Sequence, residues 1–87
     1  MSSQIKSRIR MSSTCERDAD SAKYVPVIRV VYPSNSVEHW IVRGASFFKE
    51  AAALGAASSH IKHIASAGLA PWHMPELFVK QGAQING

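Results

Sequence analysis

Large apolar residues gather in a few stretches along the chain, and each stretch has its own period. Residues 24–32, YVPVIRVVY, crowd β-branched and aromatic side chains together and stop at Pro33, the composition of a short strand. Pro26 has no amide hydrogen, which confines such a strand to an edge or places that residue at a strand start. No partner strand stands out elsewhere, so pairing with a second copy of the chain is expected. Next, Val37, Trp40, Ile41 and Gly44 recur at spacings of three and four behind the possible capping residues Ser34, Asn35 and Ser36. That pattern predicts a helix over residues 36–43, closed by Gly44.

Phe47, Phe48, Ala51, Ala52 and Leu54 form a second apolar stripe among good helix formers, and Gly55 is read as its stop. Ser58 and Ser59 then cap a third helix with Ile61, Ile64 and Ala65 on its buried side, ending near Ala67 at Gly68. Pro71 blocks continuation, while Pro75, Glu76, Leu77 and Phe78 predict a short fourth helix before a polar tail. Residues 1–23 are Ser-rich with mixed charge and few large apolar groups, so they are read as a flexible basic arm. The expected fold class is therefore mostly α: four short helices with a possible N-terminal β-strand and a disordered N-terminal arm. The arm covers 1–23 and the domain 24–87, with its core at 36–81.

Composition narrows the class without choosing the function. With 87 residues, 46% apolar and 18% charged, the chain suits one folded domain. Ten Lys and Arg against six Asp and Glu give +4, which favours an anionic partner such as nucleic acid or a lipid surface. Most of the excess sits early, in Lys6, Arg8, Arg10, Arg17, Lys23 and Arg29. Lone Cys15 cannot form an internal disulfide, so a reducing, cytoplasmic setting is expected. No apolar run is long enough to cross a bilayer. Met11 opens a second "MSS", a possible alternative start.

The segment KEAAALGAASSHIKHIASAGLAP, residues 49–71, is the most specific. Ala51, Gly55, Ile61 and Ile64 fall at offsets of four, ten and thirteen. Two helices crossing steeply need a small residue where their backbones meet, a residue tolerant of positive φ at the turn, and apolar plugs beyond. The segment resembles the helix-turn-helix of the small Cro-like repressors of phage and bacterial type. It departs from the family at Ala56, at Glu50 and in the spacing from Gly44 to Ala51.

That resemblance implies a sequence-specific DNA-binding transcriptional regulator, a repressor that occupies its operator as a homodimer. Its recognition helix, at about residues 57–67, would enter the major groove of double-stranded DNA. It carries Ala57, Ser58, Ser59, Lys62, His63 and Ser66 on the side away from the isoleucines. Lys62 would reach guanine, Ser59 either base type and Ala57 a thymine methyl, with Ser58 and Lys49 on phosphates. Lys6, Arg8 and Arg10 would follow the backbone or a minor groove. Either residues 25–32 or residues 77–85 would supply the dimer interface.

Competing readings keep a helical fold but make it a protein-interaction module, such as a viral protein that binds a host factor, or an excisionase-type architectural factor that bends DNA. His60 and His63, with His73 or His39, have the look of metal ligands, yet no Cys, Asp or Glu lies at ligand spacing, so no metal or other cofactor is expected. Without a phosphate loop, nucleophile elbow or carboxylate pair, neither an enzyme activity nor a small-molecule substrate is expected. Trp40 and Trp72 have the rings to stack on nucleobases, but large aromatics flanking short helices usually belong to the core of so small a domain; Trp40 is assigned to the core and Trp72 is left open.

Overall fold

A computed structural model describes residues 9–81. The chain forms strands β1 (Arg10–Arg17), β2 (Tyr24–Val31) and β3 (Val37–Val42), one helix α1 (Glu50–Ser66), a 3-10 turn (Pro71–His73) and strand β4 (Phe78–Lys80). All neighbours are antiparallel and the sheet order is β1-β2-β3-β4, a meander into which α1 is inserted before the last strand. This is not the helical fold of a Cro-like repressor, nor a domain of four short helices.

Each departure has a local physical reason. Residues 10–17, expected within a disordered arm, are a strand because β2 is apolar enough to order a partner along all eight residues from Arg10↔Val31 to Arg17↔Tyr24. The acidic cluster that follows is a turn. Asp18 accepts from the Ser21 hydroxyl (2.9 Å) and the Asp20 amide (3.2 Å), and Ala22 takes a left-handed φ of 61°. β2 therefore lies inside the sheet, not at its edge, and cannot serve as the dimer seam. Pro26 is tolerated there because the β2–β3 ladder ends at Val27↔Ile41, and the same side of β2 is next used by a bridge from Tyr24 to Phe47.

Residues 37–42 are extended although their spacing also fits a helix. Ser34, Asn35 and Ser36 do not cap a helix; they form the β2–β3 hairpin loop, in which the Asn35 amide donates to the Tyr32 carbonyl (2.8 Å) and Asn35 adopts a φ of 74°. The expected turn at Gly55 does not exist: α1 runs unbroken through Gly55, Ser58 and Ser59. Gly68, in contrast, ends the helix as expected. Its φ is 72°, its amide donates to Ala65 (3.0 Å), and that of Leu69 donates to Ile64 (2.8 Å), a Schellman closure.

The core lies between α1 and one face of the sheet. Ile28, Val30, Val42 and Phe78 meet Ile64 there, and the Ala53 and Ala57 methyls, with no exposed surface, face the sheet where the helix approaches it. α1 packs across β1 and β2. On the other face Gln81, just past β4, donates to Glu16 of β1 (2.7 Å), so the sheet curls toward that side, and Val27 is fully buried within it. Among the described residues no helix is long and apolar enough to cross a membrane.

Candidate functional site

The residues expected to contact DNA are not gathered on one surface. Ala57 is buried in the core. Ser58, Ser59, Lys62, His63 and Ser66 are exposed on α1, with the Ser66 hydroxyl donating to the His63 carbonyl (3.0 Å), and Lys49 is exposed at the helix start. Arg10 belongs to the sheet face turned away from the helix, since strand alternation opposes it to Met11, which packs on the core. Lys6 and Arg8 lie outside the described residues.

The structure instead assembles a polar and aromatic cluster on the helix-bearing face. Alternation places Glu38 and Trp40 of β3 on one side of the sheet, and the register sets Lys80 of β4 opposite Trp40. Tyr32, at the end of β2, joins them. One oxygen of Glu38 accepts from the Tyr32 hydroxyl (2.8 Å) and from the Trp40 indole N–H (3.1 Å), and the other lies 3.2 Å from Lys80 Nζ. Burial alone would raise the Glu38 carboxyl, but the donors Tyr32, Trp40 and Lys80, with the charge of Lys80, outweigh it and hold it below its ordinary value. Burial, then the bond to Glu38 and its charge, push the Tyr32 phenol up to about 12.

Trp72 lies over this cluster. Its ring stacks on Tyr32 at 6.1 Å and 18°, and tilts against Trp40 at 6.1 Å and against His73 at 5.9 Å. The 3-10 turn that carries it begins at Pro71 and is fixed by the Ala70 amide, which donates to His73 Nδ1 (3.0 Å). That bond leaves the proton of neutral His73 on Nε2. Beside Trp72 opens a cleft of about 530 Å³ between the start of β1 and the end of α1. Ile9, Met11, Tyr32, Leu69, Trp72 and His73 supply its larger walls, and Ala65, Gly68 and Ala70 its small ones.

Chemically, the cleft offers mostly apolar and aromatic walls. Glu38, behind the cleft wall formed by Tyr32, is already held by three donors, and the Tyr32 phenol stays protonated. His60 sits edge-on to Phe78 at 5.5 Å and His73 is bound to Ala70, and among the described residues no three metal-ligating side chains come together. The sequence reading missed Tyr32, Glu38 and Lys80, and it left the place of Trp72 open. The signal was the two-residue spacing of Glu38 and Trp40, which a helical reading of residues 36–43 sets on different sides.

Comparison with family models, with curated proteins and with solved structures finds no match to the chain.

Proposed function

We propose that this protein is a non-catalytic binding module that captures an apolar side chain of a protein partner in the cleft beside Trp72. The cleft itself carries the reading: about 530 Å³, walled by Trp72 stacked on Tyr32 and backed by the hydrogen-bonded cluster of Tyr32, Glu38, Trp40 and Lys80. A rigid aromatic wall next to a pocket is the usual make-up of an energetic anchor in protein recognition. Trp72 and Leu69, each 38% exposed, extend the apolar surface outward from the cleft as a contiguous landing area. A cytoplasmic setting, where Cys15 stays a thiol, suits such a module.

Selection from a phage-displayed library of random dodecapeptides tests this. Enriched peptides should share one aromatic or leucine anchor and lose binding to Trp72→Ala while keeping it to Lys62→Ala. Enrichment that ignores Trp72→Ala, or none at all, removes the reading. A second reading, binding of double-stranded DNA, is favoured by the exposure of Ser59, Lys62 and His63 together on α1. Retention of duplex DNA that falls steeply with salt and is weakened by Lys62→Ala would establish it instead.

A further inference from the structure

We propose that β1 is the seam of a homodimer, in which two copies join antiparallel about Ser13 to form one continuous eight-stranded sheet. The seam shares Met11 and the Ala65 flank of α1 with the cleft, but the proposal rests on the edge of β1 and not on what the cleft binds, so the oligomeric state tests it on its own. β1 is a full-length edge strand: its inner side pairs with β2 along eight residues, and among the described residues no strand covers its outer side. A row of free backbone donors and acceptors of that length is a template for another strand.

The occupant is a second copy because β1 complements itself. An antiparallel partner must keep residues of one face opposite residues of the same face, so the symmetry axis has to fall on a residue. Centred on Ser13, the pairing sets Arg10 against the partner's Glu16 and Glu16 against the partner's Arg10. Ser12 then meets Thr14, Met11 meets Cys15, and both charge pairs lie on the face away from α1. Arg10 and Glu16 are exposed, and among the described residues the one ion pair is that of Lys80 with Glu38. Glu16 spends one oxygen on Gln81 and keeps the other for Arg10.

The helices agree with this arrangement. The Cys15 thiol lies 3.9 Å from Glu50, and Ala65 shares the cleft with Ile9 and Met11, so the flank of α1 bearing Glu50 and Ala65 overhangs β1. Helical spacing adds the half-exposed Leu54 and Ile61 to that flank. A helix seated between β1 and β2 lies about 2.4 Å inside the edge, and two such offsets plus one strand spacing separate the two helix axes by about 9.6 Å. Helices pack at about 8–10 Å, so Leu54 and Ile61 of each copy become apolar contact surface in the same step.

Sedimentation equilibrium of the full chain should give twice its 9.5 kDa mass. Arg10→Glu or Glu16→Arg alone sets like charges opposite each other at two symmetric places and should weaken the dimer about tenfold or more. The double variant exchanges the charges and should restore it, while circular dichroism stays unchanged throughout. Under mild oxidation in a Cys15→Ser background, Ser13→Cys should crosslink chain to chain, because residues opposite each other lie within disulfide reach. Thr14→Cys, displaced from its own copy, should not. A monomer at high concentration, a double variant no better than the singles, or crosslinking at position 14 in place of 13 would overturn the proposal.

Discussion

Replacing Gly55 by alanine separates a continuous helix from a turn more sharply than any other single change. Were Gly55 the hinge between two crossing helices, it would need positive φ, and a Cβ there would destabilise the chain by about 1–2 kcal/mol. In the structure Gly55 lies inside α1, is exposed, and a Cβ built on it meets nothing within 4 Å. Alanine then lowers the backbone entropy lost on folding and should stabilise the protein by about 0.5–1 kcal/mol. For a chain of this length that corresponds to a rise in Tm of about 3–6 °C, readable by circular dichroism at 222 nm. Gly44 and Gly68 are internal controls: both also have free space for a Cβ, but their φ values of 73° and 72° strain any side chain. Alanine at either should lower Tm. A fall in Tm for Gly55→Ala comparable to that for Gly68→Ala would refute the unbroken helix.

Three further tests address the core and the cluster. Ala57→Glu, harmless on a solvent-facing helix, places an unpaired charge in a fully buried position and should cost about 3 kcal/mol or more by urea titration. Glu38 has a folded pKa below its unfolded one, so its stabilising contribution is complete above about pH 4.5 and disappears as pH falls through the folded value; Glu38→Gln should flatten that acid limb of stability. Tyr32 is shifted the other way, from 10 to about 12, so its contribution holds below pH 10 and is lost as pH rises through 12. Absorbance at 295 nm should show a tyrosinate component near pH 12 that vanishes in Tyr32→Phe, a variant also losing about 1–2 kcal/mol of stability with the bond to Glu38.

The parts of the fold legible in the sequence are those with a strong local signal. The density of β-branched residues in 24–32 marks β2, and Gly68 marks the helix end because a left-handed residue is needed there. Val37–Val42 is only six residues, over which Val37, Trp40 and Ile41 satisfy a helical period while Glu38, Trp40 and Val42 satisfy alternation. Tertiary pairing on both sides settles the choice. β1 is nearly invisible, since RMSSTCER owes its extension to the apolar strand beside it. Gly55 misled because glycine is tolerated inside a helix as well as at its end, and Ser58 and Ser59 because serine is both a capping residue and an acceptable exposed helix residue. The cleft draws its walls from β1, from residues just past β2 and from the end of α1, a meeting that only the long return of the chain produces.

That return also sets an order of assembly. β1, β2 and β3 are joined by loops of six and five residues, whereas 35 residues separate β3 from β4. Closing the longer excursion costs about 1.6 kcal/mol more in chain entropy than closing either hairpin. The three-stranded meander can therefore nucleate early, with the helix and the final three-residue strand docking afterwards as a clasp. Because Lys80 sits on that clasp, the carboxylate at position 38 gains its cation only once folding is complete.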